Sequence, residues 1–423
     1  MSNKFKLPKI SFDKIRKGFL FFLIILVIFS GGYFLGSKGY KIILGGSKKQ
    51  IQISREIPQD YENVDFSLFW KVWDILEKSY FDKTKIDHTE MVYGAISGMV
   101  SSLGDPYTTF LNPKENKIVE ENLSGAFEGI GIQLGYKGKQ LAVIAPLLNT
   151  PAEKAGVKAG DLIIRIEDES KSVDVDTAGM SLDEAVKIIR GPAGTKVSLT
   201  ILRDDLDQPF QVDILRAKVD VPTLVLSFVG DDDSIAHVRL LKFGSETFNE
   251  WQKAVREILL KDSAKAIILD LRGNPGGYMD GAVDIASEFV DTNSTIVVEE
   301  RSNGYKKEYK TDRIGLLTKV PFVILVDGSS ASASEILSGA LREVKNVQII
   351  GETTFGKGTI QEPIQLDNGS NLHLTIAKWL TPNGFWVNEK GIEPDVLVED
   401  NPETDEDEQL LKAIEILEAE TKN

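Results

Sequence analysis

Hydrophobic and polar positions change their period along the chain, first helical, then strand-like, then mixed. Apolar residues recur every three or four positions over 66–80 (FSLFWKVWDILEKSY) and again over 88–103. This spacing predicts two amphipathic helices. The pair Asp105-Pro106 breaks the pattern, because proline disfavours continuation of a helix. Residues 61–124 are therefore predicted to form a helical region.

Short runs with strand periodicity follow, and they predict a small β-rich domain over residues 125–217. Ser181 stands three positions before Glu184, which is the spacing of a helix-capping box, so a helix is predicted over 181–189. The predicted strands of this domain lie at 131–134, 141–144, 162–166, 197–202 and 210–215.

From residue 218 to residue 400, apolar strands alternate with Gly/Ser-rich loops and helices, the pattern of an α/β domain. Strands are predicted at 266–269 and 322–326, and helices at 280–290 and 334–342. Residues 401–423 start with the acidic run ETDEDEQ and are predicted to form a final helix, because acids favour the positive end of the helix dipole.

An uncharged apolar run over residues 18–37 (GFLFFLIILVIFSGGYFLGS) has the ~20-residue length that a bilayer-spanning helix needs. Six Lys and Arg residues lie within 1–17, so this tail is predicted to stay cytoplasmic while the rest crosses. A cleaved signal peptide is the alternative, but its apolar core would be shorter and would end in a small-residue cleavage site. The pattern favours an uncleaved single-pass anchor in the cell membrane, followed by a linker at 38–60 and an extracytoplasmic body.

The composition argues against several kinds of site and partner. The chain has no cysteine, which excludes disulfides, thiolate metal sites and cysteine nucleophiles. It has three histidines and no HExxH spacing, so we expect no metal site. The net charge is −15, although residues 1–50 hold ten Lys and Arg against one acid. An acidic body repels phosphates, so no nucleic-acid partner is expected.

A run of small residues at 326–335 (VDGSSASASE) joins a predicted buried strand to a predicted helix. Unpaired amides at a helix N-terminus attract negative charge, so a serine in the first turn would have an oxyanion donor beside it. Ser330, Ser332 and Ser334 all fall in this run. A serine-rich helix cap without any chemistry would have the same composition.

A serine nucleophile needs a base, and the next glycine-rich loop, 351–361 (GETTFGKGTIQ), offers Lys357. A free lysine has a pKa of ~10.4, so action near pH 7 requires a decrease of ~3 units, which a semi-buried apolar loop supplies. An exposed loop lysine is the alternative. The loop also approaches a phosphate-binding motif, but Gly358 stands where Ser or Thr is required, so no nucleotide cofactor is expected.

A third loop, 270–277 (DLRGNPGG), follows the predicted strand at 266–269. Its glycines permit close approach of the backbone to a ligand. The amide of Gly276 or Gly277 is therefore a candidate for a second oxyanion donor, and an ordinary turn is the alternative.

The stretches SLGDPYTTFL, DLRGNPGG, SASASEI and GETTFGKGTIQ, in this order, resemble those of the carboxyl-terminal processing (tail-specific) serine proteases. Lys357 follows Ser332 by 25 residues and Gln361 follows Lys357 by four, as in that family. The resemblance implies a multidomain α/β protein. It would have a PDZ-like β-rich domain at 125–217, inserted before a ClpP/crotonase-like serine peptidase core at 218–400.

By position, the resemblance implies Ser332 as the nucleophile and Lys357 as its general base. Gln361 would orient Lys357, and the backbone amides of Ala333 and Gly277 would form the oxyanion hole. Ser330 and Ser334 remain the rival nucleophiles.

The loop 127–132 (FEGIGI) resembles the carboxylate-binding loop of PDZ domains. Gly129, Ile130, Gly131 and Ile132 are thus expected to bind the free C-terminus of a protein or peptide, which would add as a strand beside a sheet edge. The resemblance implies a membrane-anchored endopeptidase of protein tails that needs no cofactor, and the terminal helices suggest a homodimer. The alternative is a catalytically inactive, membrane-bound PDZ scaffold.

Overall fold

The computed structural model describes residues 12–37, 40–44, 51–55, 64–147, 149–203, 206, 208–399 and 406–421. Its helices are α1 (Phe12–Ser37), α2 (Ser67–Ser79), α3 (His88–Ser101), α4 (Pro113–Ser124), α5 (Pro151–Lys154), α6 (Leu182–Ile189), α7 (Thr247–Leu260), α8 (Met279–Ala286), α9 (Ala333–Lys345) and α10 (Glu408–Thr421).

The strands are β1 (Tyr40–Leu44), β2 (Ile51–Arg55), β3 (Thr109–Leu111), β4 (Ala126–Gly129), β5 (Ile132–Lys137), β6 (Gln140–Pro146), β7 (Leu162–Asp168), β8 (Val173–Asp176), β9 (Lys196–Leu202), β10 (Phe210–Leu215), β11 (Ala217–Asp220), β12 (Leu224–Val229), β13 (Ile235–Leu240), β14 (Ala266–Asp270), β15 (Thr295–Arg301), β16 (Lys306–Lys310), β17 (Phe322–Val326), β18 (Ile349–Gly351), β19 (Thr359–Gln365), β20 (Asn371–Leu380) and β21 (Val396–Leu397). The chain divides into two compact units, residues 1–91 and 92–423.

The first unit contains α1, β1, β2 and α2. Among the residues that the structure describes, no helix is both long and apolar enough to cross a membrane, so the span predicted at 18–37 finds no support there. Residues 38–60, predicted as a linker, contain the antiparallel pair β1–β2. The Ile-Gln-Ile-Ser alternation at 51–54 is a strand signal that the linker interpretation overlooked.

A β-rich domain in the second unit uses a sheet of strand order β10-β9-β7-β6-β5, with β8 beside β7. Its core contains Leu141 and Val143, alternate residues of β6, together with Ala185 and Ile189 of α6. The hydroxyl of Ser181 accepts a hydrogen bond from the Glu184 amide (3.3 Å), which fixes the start of α6 as the capping pattern predicts. Antiparallel pairing of β4 with β11 closes the base of this domain.

The larger sheet has the order β12-β13-β14-β17-β18-β21 and is parallel apart from β12. Alternation along β14 separates its two faces. Ile267 and Leu269 pack with α7, α8 and α9, whereas Ala266 and Ile268 pack with α10. Helices on both faces of a mainly parallel sheet make this an α/β domain, as the sequence pattern predicts. The loops after β14 and β17 leave the same edge of the sheet.

A second sheet, of order β16-β15-β20-β19, lies beside these loops and adds β3 next to β20. The region 61–124, predicted as helical, therefore also contributes a strand, with Thr109 opposite His373. The helix predicted at 280–290 is shorter and ends at Ala286, where Ser287 forms the C-cap. The strand β19 carries Gln361 toward the loop that contains Lys357.

Candidate active site

Ser332 lies between β17 and α9 in a backbone conformation that is rare for a residue with a side chain. Its φ is 54° and its ψ is −113°. Such conformations cost about 1–3 kcal/mol and persist only where neighbouring contacts impose them. Ser332 is half-buried and contributes to the wall of a cavity.

The two rival serines are fixed inside the protein. Ser330 and Ser334 are both fully buried. The Ser330 hydroxyl donates to the carbonyl oxygen of Leu271 (2.9 Å), and the Ser334 hydroxyl donates to that of Asn274 (3.0 Å). Both hydroxyls thus hold the 270–277 loop against the 326–335 loop. Of the three serines, Ser332 is the one that reaches the cavity.

The 270–277 loop approaches Ser332 so closely that only glycine fits. A Cβ atom on Gly276 would lie 2.8 Å from the Ala331 carbonyl oxygen and 3.0 Å from the Ala333 nitrogen. Gly277 has a φ of 137°. Within the described residues, the amides of Gly277 and Ala333 have no hydrogen-bond partner in the protein. The two predicted oxyanion donors therefore flank Ser332 and are free.

One buried carboxylate, that of Glu335, joins the serine loop to the lysine loop. Its Oε2 accepts hydrogen bonds from the amides of Ser332 (2.8 Å) and Lys357 (2.9 Å). Its Oε1 accepts from the Gly356 amide (2.7 Å) and the Thr354 hydroxyl (2.6 Å). Glu335 was not among the predicted site residues. Its position three residues after the helix cap, where capping glutamates occur, is the signal that could have revealed it.

Lys357 is half-buried, and its loop is held by backbone contacts to aromatic residues. The indole nitrogens of Trp379 and Trp386 donate to the carbonyl oxygens of Lys357 (2.9 Å) and Gly358 (2.8 Å). Burial lowers the pKa of Lys357 below its ordinary value, while the negative charges of Asp105 and Glu335 oppose the shift. The environment thus increases the fraction of neutral amine.

Gln361 lies on β19 and donates to the hydroxyls of Thr359 (2.9 Å) and Thr375 (3.1 Å). Among the described residues, no hydrogen bond joins Gln361 to Lys357, and none joins the Ser332 hydroxyl to the Lys357 amine. Ser332, Lys357, Gln361 and Gly277 nevertheless share a cavity of about 730 Å³. Catalytic hydrogen bonds are often long in a ligand-free site and shorten when substrate binds.

A second cavity of about 260 Å³ lies in the β-rich domain between β5 and α6. Ile130, Gly131 and Ile132 contribute to its wall, together with Val186 and Ile189 of α6. Ile130 is also part of the domain core, with only 1% of its surface exposed. Gly129 is not part of the cavity wall. This groove joins the predicted carboxylate-binding loop to an apolar pocket.

Comparison with protein families finds three matches along the chain. Residues 234–398 match peptidase family S41, residues 143–203 match a PDZ domain, and residues 26–115 match the N-terminal domain of the activating protease CtpB. The S41 match includes the loops of Ser332 and Lys357. The PDZ match begins after the FEGIGI loop.

The sequence is 40% identical over 329 residues to the carboxy-terminal processing protease CtpA of Bacillus subtilis, covering 78% of this chain and 68% of that protein. It is 34% identical over 357 residues to the carboxy-terminal-processing protease of Bartonella bacilliformis, with coverages of 84% and 80%. A solved structure of a putative S41 protease from Bacteroides fragilis has a TM-score of 0.55 and 13% identity, covering 86% of this chain and 99% of that one. At that identity the likeness concerns the fold alone.

Proposed function

The chain belongs to the carboxy-terminal processing serine proteases of peptidase family S41, and on this premise we propose that it cleaves protein tails with a Ser332/Lys357 pair. The observation that carries this proposal is the shared cavity, which holds a strained serine, a desolvated lysine and a free oxyanion donor. The buried hydrogen bonds of Ser330 and Ser334 favour Ser332 over both rivals.

In this mechanism the neutral amine of Lys357 takes the hydroxyl proton of Ser332 while the Ser332 oxygen attacks the scissile carbonyl carbon. The carbonyl oxygen becomes an oxyanion that accepts hydrogen bonds from the amides of Ala333 and Gly277. The carbon–nitrogen bond then breaks, and Lys357 returns the proton to the leaving amine. Water next attacks the acyl carbon while Lys357 takes a proton from that water. Lys357 then gives this proton to the Ser332 oxygen as the bond between that oxygen and the acyl carbon breaks, which restores the free enzyme. Gln361 would orient Lys357 through its side-chain oxygen when substrate fills the cavity.

The pH dependence of turnover tests this mechanism. The neutral amine is the active form, so kcat/KM for an unstructured, tail-bearing protein should rise with pH through the lowered pKa of Lys357 and level off above it. EDTA should leave the rates unchanged. Loss of activity in EDTA with recovery in zinc would contradict the mechanism, and no turnover at any pH would favour the inactive scaffold.

We further propose that the groove between β5 and α6 binds the C-terminus of the substrate. The peptide would add as a strand beside β5, and its last apolar side chain would enter the pocket formed by Ile132, Val186 and Ile189. The loop 129–132 would supply backbone amides for the terminal carboxylate.

Ile132→Asp should weaken binding of a fluorescent peptide with an apolar last residue by about tenfold or more, because a charge replaces apolar pocket surface. Fluorescence anisotropy measures this affinity. Ile144→Asp is the matched control, since Ile144 is 48% exposed on the neighbouring strand and is not part of the groove. Equal affinities of the Ile132 variant and the unmodified protein would place the peptide elsewhere.

Membrane anchoring through residues 18–37 is a separate proposal, with the catalytic domain outside the cytoplasm. The uncharged run and the preceding basic tail support it. Phe19, Phe22 and Phe29 are 60–70% exposed, so the part of the chain that the structure describes does not cover them. Full-length protein should sediment with membranes through a carbonate wash, whereas protein lacking residues 1–37 should stay in the supernatant. Recovery of the full-length chain in the supernatant would reject the anchor.

A homodimer through α2 is also proposed. None of the α2 residues is buried, and Leu68 and Trp70 expose 69% and 59% of their surface. Apolar surface of this kind marks protein interaction sites. Trp70→Glu should halve the mass measured by sedimentation, whereas Lys71→Glu on the same helix should not. A monomeric unmodified protein would end this proposal.

A further inference from the structure

We propose that Tyr107 is a positioning residue for the reaction, because its ring covers the amine of Lys357 and keeps bulk water away from it. This inference rests on the proposed function, in which Lys357 is the general base. Tyr107 lies outside the α/β peptidase core, in the segment that precedes α4. The base site would then be a composite of the core and this N-terminal segment.

The amine and the ring face each other directly. The Lys357 Nζ atom lies 5.0 Å from the centroid of the Tyr107 ring. Both residues are half-buried. An ammonium over a ring face loses water on that side, and the ring quadrupole returns only part of the lost hydration.

A chain of hydrogen bonds fixes Tyr107 in this place. Asp105 accepts from the Tyr107 amide (3.0 Å) and from the Thr108 hydroxyl (2.6 Å). The Thr108 hydroxyl in turn accepts from the amide of Thr375 (3.0 Å), a residue of β20 that also binds Gln361. Pairing of β3 with β20 holds the segment on its other side. Tyr107 is therefore tied to the strands that carry the catalytic cavity.

Tyr107 and Asp105 act in opposite directions on the pKa of Lys357. Burial lowers the pKa of Lys357, and the carboxylates of Asp105 and Glu335 raise it. Burial and the nearby Lys357 charge lower the pKa of His373. Burial and the charges of Glu335, Asp105 and Glu389 raise the pKa of the Tyr107 phenol. The ring thus acts by excluding water and Asp105 acts by its charge.

The inference is tested by the pH profile of kcat/KM, measured for the full chain on a tail-bearing protein. The acid limb is the part of this profile in which kcat/KM rises with pH, and its midpoint reports the pKa of Lys357. Tyr107→Ala should move the limb up by about one pH unit, because water reaches the amine and favours its charged form. Asp105→Asn should move it down, because a negative charge is lost while one side-chain oxygen remains to accept from the Tyr107 amide. Tyr107→Phe keeps the ring and should leave the limb at the pH of the unmodified protein.

Tyr305→Ala is the control for loss of a tyrosine from an exposed site, and it should leave the limb in place. Thermal unfolding of each variant reports whether it is folded, and the limb position does not depend on how much protein is active. A limb that stays fixed in folded Tyr107→Ala, or that moves equally in Tyr107→Phe, overturns the role of Tyr107. If Lys357→Ala keeps its turnover, the proposed function fails instead.

Discussion

Ser332→Ala is expected to lower kcat on a tail-bearing substrate by a factor of about 10⁴ to 10⁶, the range found when a serine nucleophile is removed from a hydrolase. The reason is chemical. Without the hydroxyl no acyl-enzyme can form, and the free amides of Ala333 and Gly277 can only polarise the carbonyl for attack by water. Single-turnover kinetics with a fluorescent substrate measure the loss. Binding of a C-terminal peptide should stay unchanged, since the groove between β5 and α6 is not altered.

The matched control is Ser329→Ala, which removes an exposed hydroxyl three residues earlier in the same loop. We expect its kcat to stay within about twofold of the unmodified protein, as for most surface substitutions. Ser332→Ala that retained substantial turnover would show that another group attacks the carbonyl. In that event Ser330 and Ser334 would first have to be released from their buried hydrogen bonds.

Lys357→Ala is expected to lower kcat by about 10²- to 10⁴-fold or more, the contribution of a general base to proton transfer. Lys357→Arg should be as inactive as Lys357→Ala, because a guanidinium keeps the positive charge but cannot accept a proton near neutral pH. If Lys357→Arg were active, the lysine would act by its charge and not as a base. Lys390→Ala, which removes an exposed lysine from the neighbouring loop, is the control.

Replacement of Lys357 by an apolar residue should abolish turnover without lowering the stability of the fold. The lowered pKa of Lys357 means that the folded state binds the proton of this amine less tightly than the unfolded state does. At pH values below the ordinary pKa of lysine, the buried amine therefore lowers the free energy of unfolding. Lys357→Met fills a similar volume without that cost. Its melting temperature near pH 7 should therefore equal or exceed that of the unmodified protein, while its turnover is lost. A marked decrease in melting temperature would show that the ammonium stabilises the fold.

Local patterns were sufficient to predict most strands and helices of the second unit. The strand predicted at 322–326 occupies those same residues, and the helix predicted at 181–189 forms with Ser181 as its cap. These elements are decided by alternation and by neighbours within four positions, which a sequence displays. The paired strands β1 and β2 were missed because a short alternating run looks like a linker when its partner is not recognised.

The candidate site, like the fold, was predicted from the sequence only in part. Composition and loop pattern pointed to the serine run at 326–335 and to Lys357 as candidates, since a nucleophile and a base must be certain residue types in certain local settings, and the family resemblance then selected Ser332. Glu335 and Tyr107 were not found, because their importance lies in contacts with a loop that is distant in sequence. Glu335 reaches the amide of a residue 22 positions later, and Tyr107 reaches Lys357 from another region of the chain. A local pattern contains no record of such contacts.

Pairing of β4 with β11 has a consequence for how such enzymes diversify. It brings residues 126–129 beside residues 217–220, so the chain enters and leaves the β-rich domain at neighbouring points. An inserted module whose ends are already adjacent can change in length or identity with little effect on its host. Recombination at this pair of strands can therefore replace the β-rich domain without changing the α/β domain, so the two domains can evolve separately.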